Sequence, residues 1–167
     1  MLTHVYIDGA NLDRSARDLG YTIDYERFFG WLKQKYQASE IYYFIGYVQK
    51  YNYIYKKLEE SGFKLVFKET VTDSRKKIKG NCDAELVLQS IIDFYELIVA
   101  QNIIITGDGD FRCLIDFFIE RNVKVSILAP DKKRCSSLIK KSPVSITFLE
   151  NHYHKFSEKA PNADSSA

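Results

Sequence analysis

The sequence predicts a three-layer α/β/α domain with a central, mostly parallel sheet of five or six strands. Short β-branched and aromatic runs alternate along the chain with amphipathic helical stretches, which is typical of βαβ crossovers. Two runs, Ile103 to Ile105 and Val123 to Leu128, are almost continuously apolar, as expected of strands covered on both faces. The 167 residues, 46% of them hydrophobic, suffice for one such domain.

In the first half of the chain, three strands and two helices are predicted. The strand Leu2 to Ile7 ends at Asp8-Gly9-Ala10-Asn11, which we interpret as a turn. Asp24 is placed to cap a helix from Tyr25 to Tyr36, in which apolar residues recur at helical spacing. The remaining elements are a strand from Glu40 to Val48, a helix from Asn52 to Ser61 closed by Gly62, and a strand from Phe63 to Phe67.

In the second half, a basic loop leads into a long helix, and strands and helices then alternate to the end of the domain. The predicted helices are Asp83 to Val99, Phe111 to Arg121 and Cys135 to Lys141, and the predicted strands are Asn102 to Thr106, Val123 to Leu128 and Ser145 to Leu149. We expect a single domain over residues 1–156. Residues 157–167 have no apolar periodicity, so we expect a disordered tail there.

Composition excludes several classes of protein. No apolar run approaches the roughly 18 residues of a membrane span, and the first residues resemble no secretory signal, so we expect neither a membrane partner nor secretion. The three cysteines form no paired metal motif, which disfavours a zinc site and suits a reducing compartment. We therefore expect a cytoplasmic protein.

The net charge of +2 conceals a strong pattern along the chain. Residues 81–120 carry eight acidic and one basic residue, whereas residues 64–80 carry six basic and two acidic, and residues 121–141 seven basic and one acidic. Two interpretations remain open: solvated helix faces, or an acidic cation site between phosphate-binding segments.

Four aspartates are predicted to meet at one edge of the sheet. Asp8 ends the first strand, Asp108 and Asp110 follow the strand Asn102 to Thr106, and Asp83 begins the long helix. Sites in open parallel sheets lie beyond the carboxyl ends of the strands, and converging carboxylates repel one another unless a cation neutralises them. Oxygen ligands of this kind favour Mg²⁺ or Mn²⁺.

Each piece of this pattern also has a simpler interpretation. Asp8 or Asp108 can be an ordinary helix N-cap, and Gly107 to Asp110 can be an ordinary turn. Asn11 can cap a turn, hold Asp8 in place or contact a substrate. The joint placement of the aspartates is what favours a metal site.

Three segments together resemble the signature blocks of the NYN domain, in the LabA-like (DUF88) branch of the PIN-like nuclease superfamily. They are Tyr6-Ile7-Asp8-Gly9-Ala10-Asn11-Leu12, Lys79-Gly80-Asn81-Cys82-Asp83-Ala84-Glu85-Leu86 and Thr106-Gly107-Asp108-Gly109-Asp110-Phe111. The resemblance covers roughly residues 2 to 150. It implies a PIN-like fold and a metal-dependent ribonuclease site in which Asp8, Asp83, Asp108 and Asp110 are the acidic residues and Asn11 accompanies the first of them.

One position departs from the family's pattern. Members often carry a further Asp six residues after the position of Asp83, where this chain has Gln89. The departure concerns catalysis rather than the fold, and Asp93, one turn later, is not an evident substitute.

The residues themselves favour phosphodiester hydrolysis. We expect Asp8, Asp83 and Asp108 to bind one or two Mg²⁺ or Mn²⁺ ions, Asp110 to be a ligand or to orient water, and Asn11 to support them. Phosphate contacts from the basic segments would bind RNA, single-stranded or structured, without reading its sequence. The candidate residues are Arg75, Lys76, Lys77, Lys79, Lys132, Lys133 and Arg134. Lys64 and Lys68 belong to the first of these basic segments, and we expect both segments to lie near the edge of the sheet that carries the aspartates.

Tyrosines cluster around the second predicted strand and the following helix, at positions 42, 43, 47, 51, 53 and 55. Core packing is the favoured interpretation; a platform that stacks bases and a homodimer face are the others. For function, a metal-dependent ribonuclease that cleaves RNA endonucleolytically ranks first. An inactive RNA-binding module of the same fold and a metal-dependent phosphohydrolase of small esters are the alternatives.

Overall fold

The computed structural model describes residues 1–69, 71–72, 78–79, 81–97 and 99–161. Its strands are β1 (Thr3–Asp8), β2 (Tyr21–Ile23), β3 (Glu40–Tyr47), β4 (Lys64–Glu69), β5 (Val71–Thr72), β6 (Ile78–Lys79), β7 (Gln101–Ile105), β8 (Lys124–Ala129), β9 (Ser145–Phe148) and β10 (Ser157–Lys159). Its α-helices are α1 (Gly9–Asp18), α2 (Tyr25–Tyr36), α3 (Asn52–Ser61), α4 (Asp83–Leu97), α5 (Arg112–Glu120), α6 (Ser137–Lys140) and α7 (Tyr153–Phe156). Among these described helices, none is long and apolar enough to cross a membrane.

A six-stranded sheet in the order β4-β3-β1-β7-β8-β9 forms the centre of the fold. Every neighbouring pair of its strands is parallel. These are the six strands predicted from the apolar runs, because strands buried on both faces have an unbroken apolar signal. The predicted fold, a three-layer α/β/α domain with a mostly parallel sheet, is confirmed.

Alternate residues of β1 are part of the two hydrophobic cores, which lie on opposite faces of the sheet. Val5 and Ile7 pack against α1, α2, α3 and α7 on one face of the sheet, together with the buried ring of Phe28. Tyr6 packs into the other core, which α4, α5 and α6 cover and which includes Phe118. Because side chains alternate along a strand, the single strand β1 fixes both helical layers relative to the sheet.

The segment after β1 is a helix, and the predicted turn at Asp8-Gly9-Ala10-Asn11 is wrong. Asp8 is the N-cap of α1, which begins at Gly9. The buried face of α1 consists mostly of small residues, with Leu12 as its one large apolar member. Asp, Gly and Asn at the start of this segment are typical of turns, and only one large apolar residue follows, so the sequence pattern favoured a turn. Gly9 permits the approach to β3, since a Cβ there would lie 2.5 Å from the carbonyl oxygen of Phe44.

The prediction of a disordered tail from residue 157 is wrong for its first residues. Ser157–Lys159 forms β10, which pairs antiparallel with β2. The backbone N–H of Ala160 also donates to the carbonyl oxygen of Gly20. The pairing is with a strand distant in the sequence, so local periodicity does not indicate it. Residues 162–167 lie outside the described part of the chain.

The tyrosine cluster divides between core and surface. Tyr42, Tyr43 and Tyr55 are buried, as the core-packing interpretation expects, whereas Tyr51 and Tyr53 are exposed. The exposed tyrosines lie where the chain passes from β3 into α3, at the carboxyl edge of the sheet. They remain available for the stacking and dimer interpretations.

Candidate metal centre

Three aspartates come together between the carboxyl ends of β1 and β7. Asp8 is the last residue of β1, and Asp108 follows the neighbouring strand β7. From these two strands the chain leaves toward opposite faces, into α1 and α5, so a crevice opens between their carboxyl ends. Asp83, the first residue of α4, completes the group.

The distances within this group are short. One carboxylate oxygen from each of Asp8, Asp83 and Asp108 lies within 4.8 Å of the others, and each residue is partly buried. We call these three residues the carboxylate triad. Asp8 and Asp108 are also N-caps, of α1 and of the 3₁₀ turn Gly109–Phe111. Both interpretations of these two residues therefore apply: each caps a helical segment and each belongs to the cluster.

Thr106 connects two members of the triad. Its hydroxyl donates a hydrogen bond to Oδ2 of Asp8 at 2.9 Å and accepts one from the backbone N–H of Asp108 at 3.1 Å. The side chain is buried, and these contacts use its single donor and one of its acceptor lone pairs. From the sequence, Thr106 is a candidate for contact with a bound phosphate or water; its role in orienting Asp8 depends on the alignment of β1 with β7.

Asn11 ties α1 to the loop that carries Asp108. Its side-chain Oδ1 accepts a hydrogen bond from the backbone N–H of Gly107 at 3.0 Å, while its own backbone N–H donates to Oδ1 of Asp8 at 3.4 Å. Of the three roles left open for Asn11, holding the aspartates in place is the one these contacts support.

The loop after β8 packs directly against the triad loop. The backbone N–H of Ser136 donates to the carbonyl oxygen of Gly107 at 2.9 Å. A Cβ at Gly109 would lie 2.4 Å from the hydroxyl oxygen of Ser136, so this position requires glycine for close approach. The basic residues Lys132, Lys133 and Arg134 precede this contact in the chain.

Burial and mutual repulsion both act on the triad. Burial is the main cause that raises the pKa of Asp8 to about 6, against the lowering effect of the hydrogen bonds from Thr106 and Asn11. Burial, followed by the charges of Asp108 and Asp110, raises the pKa of Asp83. Groups in this state gain from a bound cation, which favours their ionised forms.

Asp110 and Gln89 lie outside the triad. Asp110 is exposed, and its backbone N–H donates to Oδ1 of Asp108 at 2.9 Å. Its charge still reaches Asp83, as the raised pKa shows. Gln89 donates through Nε2 to Oδ1 of Asp93 at 2.8 Å, so its side chain contacts the buried Asp93, one turn farther along α4.

The basic residues after β8 differ in their contacts. Lys132 places its ammonium 5.7 Å from the centre of the Phe148 ring, and Lys133 is exposed. Arg134 forms ion pairs with Asp18 and Asp131, at 2.5 and 3.4 Å, so part of its charge is neutralised.

The basic residues before α4 are only partly described. Arg75, Lys76 and Lys77 lie outside the described residues, and of Lys79 only the backbone, in β6, is described. Lys68 lies near the start of α4, where it pairs with Glu85 at 3.6 Å, and its charge lowers the pKa of Asp83. The expectation that Lys64 lies at the same edge is wrong: it begins β4 and pairs with Glu40 at 3.0 Å, at the opposite edge of the sheet.

The triad fits a divalent cation by its donor set. Its three closest groups are all carboxylates, the ligands preferred by Mg²⁺ and Mn²⁺, and they are held by hydrogen bonds to residues around them. A bound cation would stabilise the ionised forms of clustered acidic groups with raised pKa. Asp8, Asp83 and Asp108 are therefore the residues that would hold such an ion.

The chain combines a parallel sheet with carboxylates that meet between two strand ends whose following segments leave to opposite faces. This combination is that of a nuclease-like α/β domain of the PIN-like superfamily. The NYN domain family matches residues 3–150, and the chain belongs to this family. A crystal structure of a protein of unknown function from Vibrio parahaemolyticus is similar, with a TM-score of 0.75 and 21% identity over 93% of this chain and 95% of that chain. This similarity shows the shared fold. A comparison with curated proteins gave no match.

The pKa of Asp8 predicts how the stabilisation by Mn²⁺ depends on pH. In the metal-free protein the raised pKa means that ionisation of Asp8 destabilises the fold. The contribution of the protonated side chain to stability is complete below about pH 4 and is lost as the pH rises through about 6. Mn²⁺ needs the ionised form, so we expect its affinity to be roughly tenfold weaker at pH 5 than above pH 7.

Thermal unfolding with and without Mn²⁺ across this pH range measures the effect. The increase in Tm caused by Mn²⁺ should grow from pH 5 to pH 7.5. Asp8→Asn is the control, because asparagine retains the cap but not the charge, and it should abolish the increase. A wild-type increase that is the same at both pH values would contradict this account of Asp8.

Proposed function

We propose that the protein is a metal-dependent ribonuclease of the LabA-like (DUF88) branch, hydrolysing phosphodiester bonds within RNA. The observation that carries the proposal is the carboxylate triad, held within 4.8 Å at the carboxyl edge of the sheet. Family membership supports a nuclease, since the NYN domain is a nuclease-like fold. Mg²⁺ or Mn²⁺ is the proposed cofactor.

Each residue of the site has a distinct task in this proposal. Asp8, Asp83 and Asp108 would hold the metal, which would supply activation of a water and neutralisation of charge on the phosphate and the leaving oxygen. Thr106 and Asn11 fix the orientation of Asp8 and the loop of Asp108. Asp110, exposed beside Asp83, accepts a hydrogen bond from the attacking water.

RNA is the proposed partner because the segments next to the site carry basic residues. Lys132 and Lys133 precede the loop segment that packs on Gly107, and Lys68 lies on the side of Asp83. These residues can neutralise phosphates along a strand without reading its bases. Arg134 and the residues Arg75, Lys76, Lys77 and Lys79 are proposed to add to the same surface.

The position of Gln89 bears on the alternative of an inactive binding module. Gln89 is engaged with Asp93, and the three members of the triad are present without it. Its amide is therefore compatible with hydrolysis at the triad. A small-ester phosphohydrolase would not require basic residues on both sides of the site, so we rank that alternative last.

Replacement of one ligand tests hydrolysis directly. Asp108→Asn keeps the N-cap but removes a metal-binding charge, so we expect cleavage of a single-stranded or hairpin RNA in Mn²⁺ to fall at least about 100-fold. Denaturing gel electrophoresis of an end-labelled RNA measures the rate and shows whether cleavage is internal.

The matched control is Asp116→Asn on α5. Asp116 pairs only at the surface with Arg112, at 2.8 Å, and should retain wild-type cleavage when replaced. Equal cleavage by Asp108→Asn and wild type would refute the proposed site. Cleavage of an aryl phosphate, with RNA left intact, would favour the phosphohydrolase instead.

The basic loop after β8 predicts a salt-dependent contact with RNA. Replacing both Lys132 and Lys133 by alanine should weaken binding and reduce the slope of log affinity against log salt by about 1 to 1.5, since each phosphate contact to single-stranded nucleic acid contributes roughly 0.7. Fluorescence anisotropy of a labelled RNA, with the Asp108→Asn background to prevent cleavage, gives both quantities.

A control pair removes the same charge elsewhere. Lys56 and Lys57 lie on α3, where Lys56 is 77% exposed and paired weakly with Glu60. Their replacement by alanine should leave the salt slope unchanged. A similar loss of slope in both double variants would show that net charge, rather than this loop, determines binding.

A further inference from the structure

A buried polar cluster joins β1 to α4 beneath the metal centre. Asp93 is 2% exposed, and its Oδ2 accepts a hydrogen bond from the hydroxyl of Tyr6 at 2.9 Å. The same oxygen lies 2.9 Å from Nδ1 of His4, which is 1% exposed. Its other oxygen, Oδ1, accepts from Nε2 of Gln89 at 2.8 Å. We call these four residues the Asp93 cluster.

A buried carboxylate is an unusual choice for holding a helix to a sheet. Removing a charge from water is unfavourable, and apolar side chains of similar volume often stabilise a fold equally well. What hydrogen bonds add is direction, because apolar contacts such as those of Leu86 in the same interface permit small shifts along the helix. The Asp93 cluster therefore suits a role in fixing position.

The cluster and the metal centre lie at the two ends of one helix–strand contact. His4, Tyr6 and Asp8 alternate along β1 and share one of its faces. Asp83 and Asp93 are ten residues apart on α4, about 15 Å, and His4 and Asp8 are four apart on β1, about 13 Å. Because Asp93 contacts His4 and Asp83 meets Asp8, α4 runs antiparallel to β1 with matching spacing.

We propose that Asp93 is a positioning residue that fixes α4 on β1 so that Asp83 reaches Asp8 and Asp108. Gln89 takes part in the same positioning contact, since its amide donates to Asp93 and holds that carboxylate toward β1. The inference rests on the proposed metal site but does not require that the bound metal cleaves RNA.

The contact between Gln89 and Asp93 provides the test. Gln89→Glu keeps the length of the side chain but places a second carboxylate against Asp93, so the two groups repel and α4 shifts or turns. We expect the affinity for Mn²⁺, titrated at pH 7.5 and well below the Tm, to fall about 10- to 100-fold, the usual effect of losing an outer support of a metal site.

The double variant Gln89→Glu with Asp93→Asn should restore most of the affinity. It exchanges the carboxylate and the amide, so the pair again has one donor and one acceptor, while Oδ1 of the new asparagine still accepts from Tyr6. Gln34→Glu, on the exposed side of α2, adds the same charge away from both sites and should leave the affinity unchanged.

The outcomes separate this inference from its alternatives. A Gln89→Glu protein that has a lower Tm but binds Mn²⁺ as tightly as wild type would show that the cluster only stabilises the fold, and would overturn the proposal. Weak binding in the double variant would also overturn it. Wild-type protein that binds no Mn²⁺ would remove the metal site and this inference together, whereas Mn²⁺ binding without RNA cleavage would remove the nuclease function alone.

Discussion

Carboxylate oxygens of Asp8, Asp83 and Asp108 lie within 4.8 Å of one another, and their repulsion has to be offset by the surrounding fold. Part of the compensation is local: Thr106 donates to Asp8, and the helix N-termini after Asp8 and Asp108 direct backbone N–H groups at these carboxylates. This local compensation is incomplete, as the raised pKa of Asp8 and Asp83 indicates, and a bound cation would add to it.

The sheet topology makes this arrangement possible. Asp8 and Asp108 end neighbouring parallel strands whose connections leave to opposite faces, and the loop after β8 closes over Gly107. Asp83 arrives from a different part of the chain, at the start of α4, so its position depends on how that helix packs on β1. The small residues Gly9, Gly107 and Gly109 allow the backbone segments to approach, and at Gly9 and Gly109 a Cβ would clash.

Much of the fold could be predicted from the sequence. All six central strands and α2 to α6 have apolar runs or helical periodicity of their own, since each buries an apolar face in one of the two cores. The helix α1 was not predicted, because its first residues are turn-forming types and its buried face has one large apolar residue. The pairing of β10 with β2 depends on contact between distant segments and left no local pattern either.

The candidate site divides in the same way. The convergence of Asp8, Asp83 and Asp108 could be predicted, because strand ends and helix starts fix where those residues lie. The roles of Thr106, Asn11 and Gln89 could not, since each depends on a partner from another element. The charge pattern also assigned Lys64 to this edge of the sheet, but sequence proximity did not distinguish the two ends of β4.

The central claim is that the three carboxylates of the triad share a divalent cation. A crystal structure of the protein grown with Mn²⁺, with anomalous scattering measured near the manganese edge, tests it most directly. The account predicts an anomalous peak within about 2.0 to 2.3 Å of carboxylate oxygens from the triad. Well-ordered density for Asp8, Asp83 and Asp108 with no such peak among them, or carboxylates turned away from one another, would contradict it.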